Sequence, residues 1–201
     1  MAESRHIIAW RGRFTGEARG YRSVCGCVWR AERCVSIVQI ESGRVKQEFV
    51  NPFLTSAKLV WEKELGMSVE LTSASSMDTR FLTEDITASI GLSGQLVGTV
   101  LYGFPNLTAR EIMNVMVGEE VESDSELAQS ALGELANMVA GNAATLLSNA
   151  GYTCDISPPI IITATGTIIS TLGRPQLKGD FSSDVGPMSI RIDLSESPNH
   201  R

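Results

Sequence analysis

The sequence predicts an α+β domain in which an antiparallel-rich sheet packs against long helices, and three observations carry that expectation. Segments with element-like patterning run helix, strands, helices, strands, without the regular alternation of a βαβ fold. A 43% apolar content over 201 residues supplies one core, and 20% charged residues is too few for a disordered chain. Four cysteines are also too sparse for a disulfide-stapled module, so the domain has to be held by its core.

The formal net charge of -6 hides two unlike segments. Residues 1–46 carry nine Lys/Arg against four acids, a net of +5, whereas residues 47–201 carry eight against nineteen, a net of -11. Three cysteines (Cys25, Cys27, Cys34) and two tryptophans (Trp10, Trp29) also lie in the first segment. An Arg-rich arm of this kind can bind nucleic acid or an acidic partner, but no recognisable module accompanies it. The Cys25-x-Cys27 pair with Cys34 misses the usual zinc-ligand spacing and lacks a fourth ligand; His6 is the only nearby histidine. Apart from a possible short strand at Cys-Val-Ser-Ile-Val-Gln-Ile (34–40), the segment has no sustained periodicity. Residues 1–46 are therefore read as a poorly ordered extension, with translation starting near Gly43-Arg44-Val45-Lys46 and Val45 as initiator. The strongly acidic remainder weighs against a nucleic-acid partner.

Arginines interrupt every candidate signal sequence near the start. The uncharged stretches 86–109 and 135–154 are long enough to span a bilayer but are rich in Gly, Ser, Thr and Asn. Neither is read as a membrane helix, and the expected location is the cytoplasm.

The domain itself is drawn over 47–195, with 196–201 as a tail. Asn51-Pro52 opens a helix, since Pro suits a first turn, and Phe53, Ala57, Val60, Trp61 and Leu65 form its apolar stripe up to Gly66. A short strand follows over 69–72. Residues 85–92 and 95–104 are β-rich and flank the turn pair Ser93-Gly94. Gly91, Gly94, Gly98 and Gly103 do not make a phosphate loop, because no Lys-Ser/Thr and no helix follow directly; bulges and turns account for them better. Thr108-Ala-Arg-Glu111 matches a capping box with Leu107 as its staple, starting a helix over 109–117 that stops at Gly118. Ser123-x-x-Glu126 matches a second, placing Glu119, Glu120, Glu122, Asp124 and Glu126 where a helix N-terminus favours negative charge. That helix runs about 25 residues to Gly151, an αL stop. The β-branched run 156–169 reads as strand, entered through Pro158-Pro159. A final hairpin pairs 180–183 with 188–194 around Asp184-Val-Gly-Pro187.

The helix over 125–150 is the informative one. At about 100° per residue, Leu127, Ala131, Leu132, Leu135, Met138, Val139, Ala143 and Leu146 fall on one broad apolar face. Ser130, Glu134, Asn137 and Gly141 fall on a narrow stripe beside it, with Glu134 and Asn137 neighbours at i,i+3. Asn is a poor helix former, and Gly costs about 1 kcal/mol relative to Ala in a helix interior. The combination suits close approach by another molecule. From this geometry alone, a solvated face that happens to include Asn and Gly serves equally well.

The run Ser130-Ala-Leu-Gly-Glu134-Leu-Ala-Asn137-Met-Val-Ala-Gly141-Asn142 resembles the signature of the CheC/CheX/FliY phosphatases of bacterial chemotaxis. That signature has Asp or Ser, Glu four residues on, Asn three further, and a Pro some twenty residues later, near which Pro158-Pro159 falls. Residues 108–120, 156–163 and the ending Phe181-Ser-Ser-Asp-Val-Gly-Pro187 are also similar, so the resemblance covers roughly residues 47–195. The first helix lacks Glu-x-x-Asn; a single copy of the motif is similar to CheX, whose members are homodimers.

The resemblance implies a CheC/CheX-like fold and a phosphatase acting on the aspartyl phosphate of a CheY-like response regulator. It implies that Asn137 orients the attacking water and that Glu134 pairs with the regulator's active-site Lys. Ser130 is then a supporting residue, and Gly141 leaves room for the partner backbone. No cofactor is expected on this chain; Mg²⁺ is expected on the regulator. His6 and His200 form no cluster. A non-catalytic docking module for the phosphorylated regulator is the alternative, and an unrelated α+β dimer the blander one. A serine hydrolase is poorly supported, since no G-x-S-x-G occurs and neither His lies in the organised region.

Overall fold

The structure, a computed structural model, describes residues 46–77, 80–120, 122, 125–170 and 176–198. The strand expected at 34–40, the Cys25/Cys27/Cys34 set and the extension up to Val45 lie outside the described residues. Lys46, drawn with the extension, precedes the first helix and bonds Glu196 and Glu48.

Helix α1 spans Gln47–Val60 and continues as a π-helical turn, Trp61–Leu65, before Gly66 ends it in the left-handed region at φ 65°. It begins a turn earlier than Asn51-Pro52, and Pro52 lies inside it. The reason is burial: Phe49 and Val50 extend the stripe of Phe53, Ala57 and Val60 into the core. At about 1.5–3 kcal/mol per buried apolar side chain, they offset the single intrahelical bond that Pro52 forgoes. Trp61 is wholly buried and stacks on Phe104 with centroids 6.3 Å apart.

Strand β1 (Val69–Met77) runs well past Thr72, and β2 is Arg80–Leu82. The hairpin is present as β3 (Ile86–Gly94) and β4 (Leu96–Phe104), in register from Ile86 opposite Phe104 to Leu92 opposite Gly98. Gly98 has no room for a side chain, since a Cβ there would lie 1.8 Å from the Asp193 carbonyl oxygen.

Helix α2 spans Asn106–Val117 and stops at Gly118. The expected capping box at Thr108 is not formed: Thr108 is buried inside the helix, and Leu107 is 70% exposed and staples nothing. A carboxylate from outside the helix does the capping. The Asn106 N–H donates to Asp85 Oδ2 at 2.8 Å, while Thr165 Oγ1 donates to Asp85 Oδ1 at 2.7 Å. The Thr165 hydroxyl, then the Asn106 amide, hold the Asp85 carboxyl below the usual carboxylate range. The stability this contributes is present above the unfolded-state pKa of about 3.9 and lost as pH falls through and below it. Asp85→Ala is expected to cost about 1–2 kcal/mol at pH 7 and less at pH 3, read from urea midpoints at the two pH values.

Helix α3 (Glu126–Asn149) is followed by three short strands, β5 (Cys154–Ile156), β6 (Ile160–Ile162) and β7 (Ile168–Ser170), where the sequence pattern predicts one β-rich run. Pro158 and Pro159 separate β5 from β6, because neither can donate to a ladder. The last hairpin is β8 (Gln176–Ser183) with β9 (Gly186–Glu196). Strand β9 continues past residue 195, and the Ser197 N–H then bonds the Gln95 carbonyl.

Among the described residues the strands form a seven-stranded antiparallel sheet in the order β1-β8-β9-β4-β3-β5, with β6 also paired to β3, and β2 and β7 form a separate ribbon. Alternate residues of the central strands (Ala88, Ile90, Val100, Tyr102, Ile190, Ile192) join buried residues of all three helices in one core. Helix α3 packs against α1, α2, β3, β5 and β6, which leaves its remaining face toward solvent.

Candidate functional site

Helix α3 is started by Ser125, whose Oγ accepts the Ala128 N–H at 3.2 Å. The expected cap, Ser123, lies outside the described residues. The helix ends as expected, with Ala150 as its cap and Gly151 at φ 96°.

Its buried face is not quite the one the large apolar residues outline. Leu127 is 51% exposed, and Ala131, Met138 and Leu146 are only half-buried. The core instead takes Ala128, Leu132, Gly133, Leu135, Ala136, Val139, Ala140, Ala143 and Leu147. The small residues among them allow α3 to approach its neighbours closely, a property that hydrophobic periodicity does not register.

This rotation fixes the character of the stripe. Ser130 and Glu134 are exposed, whereas Asn137 and Gly141 sit half-buried at the margin of the core. One helix face thus brings all four residues together, as the 100° spacing expects. Neither Glu134 nor Asn137 has a side-chain hydrogen bond or ion pair among the described residues. Nearby polar side chains behave differently. Asn142 Nδ2 donates to the Met138 carbonyl at 2.8 Å, and Thr145 Oγ1 donates to the Gly141 carbonyl at 3.0 Å. Asn142 and Thr145 are satisfied by their own helix; the Asn137 carboxamide has no partner at either end among the described residues. A Cβ built on Gly141 would meet nothing within 4 Å, so packing among the described residues does not require glycine there.

The loop between β5 and β6 packs against α3 at Gly133. A Cβ on Gly133, one turn before Asn137, would lie 3.2 Å from Pro159 Cγ and 3.7 Å from Ile161 Cδ1. Ser157 ties this loop to β3: its Oγ accepts the Gly91 N–H at 2.9 Å, and its own N–H donates to the Gly91 carbonyl at 2.9 Å. Periodicity alone does not find Gly133 or Ser157, since neither is a large apolar residue nor an ionisable group. Pro158-Pro159 stands out in the sequence as a strand entry and, as a part of the site, only through the family signature.

Among the described residues, no group of three or more His, Cys, Asp and Glu side chains is arranged to hold a metal ion, and no helix is long and apolar enough to cross a membrane. The arrangement offers a half-buried carboxamide, an exposed carboxylate one turn before it, and a helix surface on which another molecule can seat.

Residues 86–182 match the family model of the chemotaxis phosphatase CheX. The chain is 30% identical over 125 residues to the CheY-P phosphatase CheX of Thermotoga maritima, covering 62% of this chain and 81% of that protein. A CheC-like superfamily protein from Shewanella sp. PV-4 superposes with a TM-score of 0.68 at 32% identity, covering 75% of this chain and 99% of that one. The same fold occurs in the CheX-CheY-BeF3-Mg²⁺ complex from Borrelia burgdorferi, with a TM-score of 0.58 at 24% identity over 74% of this chain and 98% of that one.

Proposed function

The chain belongs to the CheX family of chemotaxis phosphatases, and from that premise we propose that it hydrolyses the aspartyl phosphate of a CheY-type response regulator, using Asn137 to orient the attacking water. The single observation that carries this reading is the half-buried Asn137 carboxamide, without a partner among the described residues, beside an exposed Glu134 that is likewise unpartnered among them.

An aspartyl phosphate is already activated, so the catalyst has mainly to hold a water in line with the breaking P–O bond. The water oxygen bonds to phosphorus, the bond to the aspartyl oxygen breaks, and carboxylate and inorganic phosphate leave, with the water's protons passing to phosphate and solvent. Asn137 suits the task because its carboxamide accepts from the water and donates toward a phosphoryl oxygen without adding charge. A carboxylate in that place would repel the phosphoryl group, so Glu134 is assigned to the regulator's active-site Lys, in a charge-assisted bond that anchors the complex. Ser130, exposed one turn before Glu134, lies on the docking face as a supporting contact. The Mg²⁺ is held by the regulator's own residues and neutralises charge on the phosphoryl oxygens; this chain supplies no ligand to it. The same reading takes the active form as a homodimer. Leu82 and Ile168, opposite one another on the β2–β7 ribbon and 58% and 64% exposed, leave apolar surface that a second copy would cover.

The test is the decay of a regulator phosphorylated by acetyl phosphate, followed with and without this protein. Faster decay is expected. Binding without any acceleration would replace the phosphatase reading with that of a docking module. Gly141→Ala separates partner contact from folding. It is expected to stabilise the isolated protein by about 0.5–1 kcal/mol, by thermal melting, while weakening binding of the BeF3-loaded regulator severalfold.

A further inference from the structure

We infer that Pro159, seated in the notch left by Gly133, is a positioning residue for Asn137. The inference rests on the assignment of Asn137 above and adds how that side chain is kept in place. Side chains on an α-helix lean toward its N-terminus, so Asn137 leans over the turn that contains Gly133. At Gly133 the helix presents no side chain, and the Pro159 ring fills the space, with its Cγ 3.2 Å and its Cβ 3.7 Å from where a Cβ would stand.

The ring is itself held from both sides in sequence. Upstream, Ser157 exchanges two hydrogen bonds with Gly91 of β3, and its hydroxyl donates to the Pro158 carbonyl at 2.9 Å. Downstream, Ile160–Ile162 pairs with β3, with Ile161 opposite Ala88. Two consecutive prolines also fix φ at 158 and 159, so little freedom remains between these anchors. The outcome is a rigid apolar wall on the N-terminal side of the carboxamide.

Chemistry favours a wall of this kind. A polar residue at 159 would hydrogen-bond the Asn137 amide and use up the donor or acceptor that the water and the phosphoryl group require. A prolyl ring limits the rotamers by contact alone and leaves both ends of the amide unspent. Positioning by a rigid neighbour is also what places a reacting group within the narrow geometric tolerance of an in-line attack.

The experiment compares Gly133→Ala, Pro159→Ala and the double variant in the full-length protein. Three quantities are read: the rate of loss of regulator-bound phosphate at saturating protein, the affinity for the BeF3-loaded regulator, and the melting temperature. Each single variant is expected to lower the saturated rate roughly tenfold with binding unchanged. Gly133→Ala should do so with little change in melting temperature, because the gain in helix propensity offsets the crowding against Pro159. In the double variant, the methyl introduced at position 133 refills the notch that the shortened residue 159 vacates, so its loss should be clearly smaller than the product of the two single losses. Wild-type rates in both single variants would overturn the inference. So would losses of rate that track a lowered melting temperature and multiply in the double variant, since they would mark a purely structural contact. If Asn137→Ala were itself fully active, the assignment of the site would fail first; if it were inactive while the Gly133 and Pro159 variants kept full rate, only the positioning role would fail.

Discussion

Asn137→Ala is expected to reduce the hydrolysis of regulator-bound phosphate at saturating protein by roughly 100- to 1,000-fold, down to the regulator's own rate. The magnitude follows from what the carboxamide does. In the proposed mechanism it holds one water on line through groups that make no other bond among the described residues, so nothing nearby would substitute for it. Its removal also leaves no buried polar group stranded, and Ala is the better helix former, so α3 should remain intact. Affinity for the BeF3-loaded regulator should therefore change little. Asn137→Asp is the informative companion: it keeps the size and one acceptor but adds a negative charge beside the phosphoryl group, and its rate should stay near that of Asn137→Ala. Quenched-flow assays of ³²P-labelled regulator, with binding measured on the same preparations, check both.

The second large effect is expected at Glu134. In the proposed complex Glu134→Lys converts an attraction for the regulator's Lys into a repulsion at the same place, and like-charge juxtaposition in an interface is worth at least about 2 kcal/mol, or about 30-fold in affinity. Glu134→Gln keeps the shape and an acceptor, so it should lose less. Because Glu134 is exposed and unpaired among the described residues, neither change should disturb the fold. The two sites are distinguishable by which quantity moves: the rate at saturation for Asn137, the concentration needed to saturate for Glu134. A Glu134→Lys variant that bound with wild-type affinity would remove the anchoring role.

Much of this is legible without coordinates. The Glu134/Asn137 stripe follows from helical periodicity, and the family signature supplies the reason to prefer it over a solvated face. The β3–β4 hairpin, the stops at Gly118 and Gly151 and the last hairpin all rest on local chemistry that the chain obeys. Where the fold departs from its local signals, a distant residue has replaced them. The local box at Thr108 is overruled because Asp85 caps α2 from 21 residues away, freeing Thr108 to be buried. The first helix starts before Pro52 because Phe49 and Val50 find a core to fill. The core face of α3 turns toward Gly133, Ala136 and Ala140 because close packing selects small residues that a hydrophobicity pattern weighs lightly. That same rotation brings Asn137 to the core margin and Gly133 against Pro159, a contact visible only in three dimensions.

The central claim, that a water held by Asn137 takes the phosphoryl group directly from the regulator, is tested most directly by one rapid-quench experiment. Regulator carrying ³²P on its aspartate is mixed with excess protein, and label is followed in the regulator, in this chain and in inorganic phosphate. The expected result is label passing straight to inorganic phosphate faster than from the regulator alone, with none retained on this chain. Label appearing on this chain, on Ser130 for example, or phosphate released only at the regulator's own rate, would contradict it.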